Sequence, residues 1–414
     1  MRIAIIGAGA AGCFAAINIK RLMPYAEVEI YEAAKKALAK VAVTGGGRCN
    51  ITNSFEHVLS TDEVYPRGAR LMKRLLREFS HKDAYQWFEE AGIRLVTQDD
   101  QCVFPVSQDA MEVVNKLLGE MHRQGVRLHL AHRVVEIQHV DNYYFITFAD
   151  GSITESDIVV VTTGGSPKMS GLKMLEPLGL EMIEPVPSLF SLAIEAGHPL
   201  TKLMGTVVEE TAVSIVGTKL KAHGPLLVTH WGVSGPAVLK LSSYAARWLC
   251  EHDYQAQISI NWMDGMKEED VVELLVQMAE DNPQKQVANI YPHCFNNRLW
   301  TYLLESCQIR HDMRWAELGR KGFNRIASRI TNHTLNVVGK NRFKDEFVTC
   351  GGVALSNINP STMECKKHEG LYFAGEVLDV DAITGGFNLQ AAWTMGFVVA
   401  KSIFKKTDEK NTLG

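Results

Sequence analysis

The first thirty-two residues alternate between apolar runs and one glycine-rich turn. Residues 2–6, RIAII, form an isoleucine-rich run that is typical of a strand buried on both faces of a parallel sheet. The segment AGCFAAINIKRL predicts a helix, and residues 28–32, VEIYE, predict the next strand. A strand, a helix and a second strand in this order predict a βαβ unit and therefore an α/β protein.

The pattern of apolar positions changes after residue 70. Two amphipathic helices are predicted, at 71–92 and 110–125. Alternating residues then flank Asp150 and Gly151, which predicts a hairpin, and residues 157–165, DIVVVTTGG, predict a fully apolar strand. A small antiparallel meander therefore interrupts the parallel sheet, whereas an ordinary NAD dehydrogenase would continue with further βα units.

The C-terminal part of the chain predicts a strand and a long helix. Residues 370–380, GLYFAGEVLDV, predict a strand that ends at Gly375 and Glu376, and the final helix is predicted to begin near Asn388. Residues 382–400 contain no charge over nineteen positions, which approaches the length of a membrane span. Glycines and polar residues in its first half favour a buried helix instead, and we expect no membrane partner.

Composition and charge narrow the function classes only slightly. A chain of 414 residues allows two or three domains, and its 46% hydrophobic and 22% charged residues are ordinary for a globular protein. The net charge of −4 and the absence of a basic run make a nucleic-acid partner unexpected. The eight cysteines show no metal-site spacing, and the N-terminus does not resemble a signal peptide, so we expect a cytoplasmic protein with reduced thiols and no metal.

The turn after the first strand carries a dinucleotide-binding pattern. The pattern consists of Gly7, Gly9 and Gly12, with Ala10 and Ala11 between the last two at the start of the following helix. In this pattern Gly7 permits the tight turn, Gly9 lets backbone N–H groups approach a pyrophosphate, and Gly12 lets the helix pack on the strand. Glu32, twenty residues after Gly12, would accept hydrogen bonds from ribose hydroxyls and would repel a 2′-phosphate. The pattern therefore predicts a site for FAD or NAD.

A second glycine run, residues 45–47, leads directly into Arg48 and Cys49. Glycines followed by a cation suit close approach to a phosphate, but the lysine and hydroxyl residue of a P-loop are missing. A flavin dithiol enzyme would need a second cysteine near Cys49, and the neighbouring sequence has none. We therefore expect Cys49 to be a packed, unreactive thiol.

These motifs together resemble a family of bacterial FAD-dependent oxidoreductases that includes bile-acid reductases and aminoacetone oxidases and is distantly similar to glutathione reductase. The resemblance rests on GAGAAG with Glu32, on TGGGRCNITN, on THWGVSGPA, on TCGGV and on GLYFAGEVLDVDAITGGFNLQ. It implies that FAD lies along Lys40, Gly46, Gly47, Arg48, Cys49 and Asn50, with Val134 on the adenine side, Thr163 and Gly164 near the nucleotide, and Gly375, Glu376, Asn388 and Leu389 at the ribityl chain and ring.

The resemblance also implies the domain organisation. A Rossmann-type FAD-binding domain with an antiparallel β-meander is expected over residues 1–187 and 346–414. Residues 188–345 are expected as an insertion, with a β-rich subdomain over about 188–262 and a helical subdomain over about 263–335. The prolines in PVPSLFSLAIEA, residues 185–196, agree with a crossing from one domain to the next.

The function expected from the sequence is that of an FAD-dependent oxidoreductase acting on a small organic substrate. The sequence leaves open an amine oxidase that uses oxygen, a flavin-dependent RNA-modifying enzyme and a non-catalytic dinucleotide-binding protein. His230 is a weak candidate for a proton donor, and Ser234 lacks the following glycine of a nucleophile elbow. No second GxGxxG unit follows, so NAD(P)H, if it is the electron donor, is expected to bind transiently. The sequence leaves the oligomeric state open.

Overall fold

A computed structural model describes residues 1–340 and 348–413. The strands in this part of the chain are β1 (Arg2–Ile6), β2 (Glu27–Tyr31), β3 (Thr52–Asn53), β4 (Leu95–Thr97), β5 (Cys102–Pro105), β6 (Arg127–His129), β7 (Val134–Val140), β8 (Tyr143–Phe148), β9 (Ile153–Ser156), β10 (Ile158–Val161), β11 (Met182–Ser188), β12 (Leu192–Ile194), β13 (Val207–Ile215), β14 (Lys221–Val228), β15 (Gly232–Ser234), β16 (Ala256–Asn261), β17 (His333–Lys340), β18 (Val348–Val353) and β19 (Leu371–Phe373).

The α-helices are α1 (Ala10–Leu22), α2 (Ala39–Gly47), α3 (Thr61–Val64), α4 (Ala69–Leu75), α5 (His81–Glu90), α6 (Ala110–Arg123), α7 (Pro236–Tyr244), α8 (Ala246–Glu251), α9 (Glu268–Asp281), α10 (Asn297–Ser306), α11 (Trp315–Thr331) and α12 (Phe387–Leu413). Short 3₁₀ helices span Met169–Leu178, Pro199–Leu203, Val287–Asn289 and Leu355–Asn357.

The described residues form two compact units. The first unit contains the chain up to Val186 and the chain from Val348 onward, and the second begins at Pro187. The sequence-based boundary between residues 345 and 346 lies outside the described residues.

A five-stranded sheet forms the centre of the first unit, in the order β19-β10-β1-β2-β6. Every neighbouring pair in it is parallel. β10, predicted as a fully apolar strand, is completely buried over Val159–Val161, as expected for a strand covered on both faces. Because all five strands run the same way, their carboxyl ends lie along one edge of the sheet, where ligands of such folds bind.

Helices α1 and α12 pack against each other beside this sheet. A β-carbon added at Gly396 would lie 2.8 Å from the carbonyl oxygen of Ala11, so the two helix backbones approach closely. Phe14 packs on Trp393 with ring centroids 5.3 Å apart. The uncharged stretch thus forms a buried helix, as predicted, and among the described residues we find no helix with the length and apolarity of a membrane span.

The prediction of one helix over 71–92 is wrong, because this segment contains α4 and α5. The side chain of Ser80 accepts a hydrogen bond from the backbone N–H of Asp83, and Asp83 accepts one from the backbone N–H of Ser80. This capping box begins a new helix at His81. The apolar spacing continues across the break, so periodicity alone did not reveal it.

The first unit also contains two small antiparallel sheets, in addition to the paired strands β11 and β18. The meander predicted around Asp150 and Gly151 is present as β7-β8-β9. A second sheet has the order β3-β5-β4 and follows the second glycine run.

The second unit contains a closed antiparallel barrel in the order β12-β15-β14-β13-β16-β17. Its apolar core includes Trp262 and Trp300, both fully buried. β15 runs directly into α7, but it pairs antiparallel with β12 and β14. THWGVSGPA therefore does not form a second parallel strand–turn–helix unit for a nicotinamide dinucleotide.

Candidate cofactor site

The residues singled out by the sequence meet at the carboxyl edge of the parallel sheet. Backbone hydrogen bonds join the ends of its strands: Gly7 N–H donates to Tyr31, Thr162 N–H donates to Ile6, and Ala374 N–H donates to Val161. The loops after β1, β2, β10 and β19 thereby lie side by side.

The first loop has the spacing that its three glycines predict. Gly7 has a φ of 109°, and a β-carbon there would lie 2.6 Å from the carbonyl oxygen of Thr162. A β-carbon at Gly12 would lie 2.1 Å from the Gly7 oxygen, so both positions require glycine for close packing. A β-carbon at Gly9 would have no atom within 4 Å. The open side of the loop is therefore at Gly9, in front of the N-terminus of α1.

Glu32 is fixed by two backbone donors. Its Oε2 accepts a hydrogen bond of 2.8 Å from Ala8 N–H, and its Oε1 accepts one of 2.8 Å from Ala34 N–H. A carboxylate oxygen can accept more than one hydrogen bond, so both oxygens retain capacity for hydroxyl donors of a ligand. The carboxylate also ties the strand β2 to the loop after β1.

The second glycine run is part of α2, but its backbone leaves helical geometry there. Thr44 is extended, and Gly45, Gly46 and Gly47 have φ values of 60°, 71° and 85°. Added β-carbons at Gly46 and Gly47 would meet no atom within 4 Å. The run therefore exposes backbone to open space on one side.

Arg48 follows this run and is held in place by aromatic and backbone contacts. Its guanidinium lies 4.3 Å from the centre of the Phe104 ring, and its Nε donates to Gly45 O over 3.1 Å. Cys49 behind it is completely buried, and burial raises the pKa of its thiol to about 12. A thiol that stays protonated is a poor nucleophile, which agrees with the predicted packed, unreactive cysteine.

Glu376 links three segments of the site. Its Oε1 accepts a hydrogen bond of 2.7 Å from Thr349 N–H, and its Oε2 lies 3.1 Å from Lys40 Nζ. A β-carbon at Gly165 would lie 2.4 Å from Oε1, so the loop after β10 passes directly beside this carboxylate. β18, the start of α2 and the loop after β10 thus meet at one acidic side chain.

Two asparagines hold the loop that precedes α12. With its amide oxygen toward Gly386 N–H, 3.1 Å away, Asn50 places its amide nitrogen 2.9 Å from Thr52 O. Asn388 accepts a hydrogen bond from Ala382 N–H and donates to Ala382 O, both over 2.9 Å. Leu389 is half-buried in the first turn of the helix.

The remaining predicted residues lie less centrally. Val134 is buried in β7 and pairs with Phe148, whose ring lies 4.8 Å from Tyr31 at the end of β2. The meander therefore reaches the edge of the sheet near Glu32, which carries the predicted ribose contact. His230 belongs to the second unit, is exposed and contacts the Trp231 ring, so its role as proton donor stays a prediction.

Sequence reasoning missed a buried polar network below the α12 N-terminus. Thr52 Oγ1 donates to Gln390 Oε1 over 2.5 Å, Gln390 Nε2 donates to Thr394 Oγ1 over 3.0 Å, and Thr394 Oγ1 donates to Phe79 O over 2.9 Å. These fully buried side chains anchor the helix to the second glycine segment. Polar residues at helical spacing within the uncharged stretch were the one signal in the sequence.

A buried ion pair was also missed. Arg67 forms a two-pronged ion pair with Asp381, whose side chain is fully buried. Burial alone would lower the pKa of the Arg67 guanidinium, but the hydrogen bonds and charge of Asp381 outweigh it and raise that pKa. An acidic residue in the apolar run after Glu376 was the available signal, since a buried carboxylate requires a partner.

The geometry of this edge fits a dinucleotide cofactor. Open space lies over Gly9, Gly46 and Gly47, where backbone N–H groups and the N-terminus of α1 are near, and α1 has no acidic residue in its first turn. Glu32 has free acceptor capacity at the end of β2, as a ribose requires.

The fold and this site define a Rossmann-type dinucleotide-binding protein. The sequence matches the family described as "HI0933-like protein Rossmann domain" over residues 1–402, and the chain belongs to this family. It is 28% identical to a 3-dehydro-bile acid delta(4,6)-reductase of Clostridium scindens, over 97% of this chain and 98% of that protein. It is also 28% identical to a ribosomal RNA dihydrouridine synthase of Haemophilus influenzae, over 97% of this chain and 98% of that protein.

Among solved structures, the quinol fumarate reductase subunit FrdA of E. coli shares the fold. Its TM-score is 0.50 at 13% identity, and the similarity covers 99% of this chain and 71% of that one. The predicted Rossmann-type FAD-binding fold with a parallel sheet and the predicted flavin-dependent oxidoreductase are thus confirmed. The individual cofactor contacts, the domain boundaries and a nicotinamide donor stay predictions.

Proposed function

We propose that this protein reduces a carbon–carbon double bond conjugated to a carbonyl group in a small organic substrate. The observation that supports this most is the end-to-end similarity to a 3-dehydro-bile acid delta(4,6)-reductase. A 3-oxo compound with a double bond at position 4 contains such a conjugated system. Dihydrouridine likewise differs from uridine by two hydrogens added across a ring double bond next to a carbonyl, so both kinds of relative are named for one type of chemistry.

FAD, when bound, supplies reversible two-electron transfer to the substrate. In our proposal Gly9 and the N-terminus of α1 bind the pyrophosphate, and Glu32 binds the adenosine ribose. Arg48 and the start of α12 place positive charge and backbone donors on the other side of the cofactor, and α12 has no acidic residue in its first turn. Such an arrangement favours the negative charge that a flavin gains on reduction.

A rapid-mixing experiment tests the proposed reaction. The FAD-loaded protein is reduced photochemically without oxygen and mixed with a 4-en-3-one steroid, with its saturated analogue as the control. We expect the unsaturated compound to reoxidise the flavin and the saturated one to leave it reduced. Reduction of the oxidised flavin by amines, with no reoxidation by any conjugated ketone, would replace this proposal with the amine oxidase.

A second candidate function is reduction of uracil rings in RNA. It is favoured by the similarity to ribosomal RNA dihydrouridine synthases, which equals in identity the similarity to the bile-acid reductase. The chemistry at the flavin would be the same, and the substrate would differ in size and charge. An RNA that reoxidises the reduced flavin and gains dihydrouridine would select this candidate.

The electron donor is expected to bind weakly. Neither THWGVSGPA nor the loop after β10 supplies a second nucleotide-binding unit in the described residues, and β15 lies in an antiparallel barrel. We therefore expect NADH or NADPH to bind the FAD-loaded protein with a Kd of about 100 μM or weaker, about −5.5 kcal/mol. Titration calorimetry measures this, and a Kd below about 1 μM would contradict it.

A further inference from the structure

The exposed side of α4 carries a cluster of cations. Arg70, Lys73 and Arg74 are exposed at spacings of three and four residues, which places them on one side of α4. Arg77, also exposed, follows in the turn after the helix ends at Leu75. We call these four residues the basic face. The opposite side of α4 is buried. The four charges are separated by apolar residues in the sequence, so they form no basic run and come together only when the helix forms.

The basic face is not neutralised by neighbouring carboxylates. Arg74 donates to Ser361 Oγ over 2.6 Å. Within residues 1–340 and 348–413, the other three cations form no ion pair. The chain has no acidic residue from 64 to 77, and Glu78, which follows, is paired with Lys401 over 2.7 Å.

Such a face on a protein with a net charge of −4 favours an anionic partner. Three of the four cations are arginines, whose planar guanidinium groups bind phosphate oxygens with two hydrogen bonds. Seven residues of helix extend about 10 Å, which matches about three nucleotide steps of a helical strand.

The surroundings distinguish RNA from a membrane. Helices that bind membrane interfaces insert an apolar face into the lipid. The apolar residues of α4, Leu71, Met72 and Leu75, are buried inside the protein. The basic face thus offers charge without an apolar surface to insert.

We propose that the basic face is a docking surface for the phosphate backbone of RNA. This inference rests on the second candidate function, reduction of uracil in RNA, and it adds the place where the polymer is held. Phosphate contacts of this kind position the nucleic acid without reading its sequence.

The test compares two triple variants of the full-length, FAD-loaded protein. Arg70→Gln, Lys73→Gln and Arg77→Gln remove three charges from the basic face. Lys219→Gln, Arg320→Gln and Lys321→Gln remove three exposed charges from the second unit and serve as the matched control. Binding of a fluorescein-labelled single-stranded RNA of mixed sequence is followed by anisotropy over a series of KCl concentrations.

We expect the first triple variant to bind at least about tenfold more weakly, with the slope of log K against log[KCl] reduced by about 2. The control should bind like the unmodified protein. Thermal unfolding and FAD content, which should be unchanged in both variants, exclude misfolding as the cause.

Three outcomes would overturn the proposal. They are equal losses in both triple variants, no salt-dependent RNA binding by the unmodified protein, and loss of phosphatidylserine vesicle binding in the first variant with RNA binding intact. The last outcome would assign the face to an anionic lipid surface. RNA binding is measured without turnover, so a failure here leaves the proposed double-bond reduction untouched.

Discussion

At the scale of single residues, Gly12 serves the packing of the fold, whereas Gly9 serves the proposed binding of the cofactor. An added β-carbon at Gly12 would overlap the Gly7 carbonyl at 2.1 Å, whereas one at Gly9 would enter empty space. Gly12 therefore serves the packing of α1 on β1, and Gly9 leaves room in front of the helix N-terminus. The same motif contains one position that is structural and one that we assign to the ligand.

Gly12→Ala is expected to lower the free energy of unfolding by about 1–3 kcal/mol, because the methyl group overpacks the helix–strand contact. Gly9→Ala should leave the stability of the cofactor-free protein within about 0.5–1 kcal/mol and weaken FAD binding instead. Chemical denaturation of the cofactor-free variants and FAD titration measure the two effects. Equal losses of stability in both variants would contradict this separation.

Glu32→Ala is expected to weaken FAD binding by about 1–3 kcal/mol, because it leaves the ribose hydroxyls without their acceptor. Glu56→Ala, at an exposed position, is the control and should bind FAD normally. FAD retained after dialysis, quantified by absorbance, measures the difference. Full retention by Glu32→Ala would remove the ribose contact from the proposal.

At the scale of elements, the capping box at Ser80 decides where α5 begins. The amphipathic pattern runs through this point, and only the reciprocal hydrogen bonds of Ser80 and Asp83 mark the break. Local signals of this kind can be recognised in a sequence when a serine precedes an acidic residue by three positions. The order of strands and glycine loops in the first thirty-two residues was predictable for the same reason, since all of its determinants are local.

Ser80→Ala should lower the free energy of unfolding by about 1 kcal/mol, because the backbone N–H of Asp83 loses its acceptor. Gln86→Ala, on the exposed side of the same helix, should change it by less than about 0.5 kcal/mol. Urea denaturation compares the two. A Ser80→Ala protein as stable as the Gln86→Ala protein would show that the cap contributes nothing.

At the scale of the whole molecule, contacts between residues distant in the sequence could not be predicted from the sequence alone. Arg67 and Asp381 lie 314 positions apart, and Thr52 and Gln390 lie 338 apart. A buried carboxylate requires a partner, but a single sequence does not identify which cation pairs with it. The strand order of the closed barrel could not be predicted either, because it depends on which distant strands pair and not on the periodicity of each strand.

The second unit contains a histidine that makes stability depend on pH. His333 is buried, accepts a hydrogen bond of 3.0 Å from Trp262 Nε1–H at Nδ1, and therefore carries its proton on Nε2, 3.1 Å from the Tyr302 hydroxyl. Burial, with smaller effects of Arg329 and His198, lowers its pKa to about 3. The folded protein thus keeps this imidazole neutral where the unfolded chain binds a proton.

Because the pKa is lower in the folded state, the stabilisation is complete above about pH 6.5 and is lost as the pH falls toward 3. Between pH 7 and pH 5 we expect the unmodified protein to lose about 2 kcal/mol more of its unfolding free energy than His333→Gln does. Denaturant titrations at the two pH values provide this difference. Parallel losses in both proteins would place the pH dependence elsewhere.

The path of the chain through the first unit also bears on biosynthesis. β10 ends at Val161, and its neighbour β19 begins at Leu371, after the whole second unit has been made. At about 5–20 residues per second, a ribosome needs roughly 10–40 s to translate the intervening 200 or so residues. During that time β10 has an unpaired edge, and Gly375 and Glu376 do not yet exist. The nascent protein therefore completes its proposed FAD site only after β19 and α12 have been made.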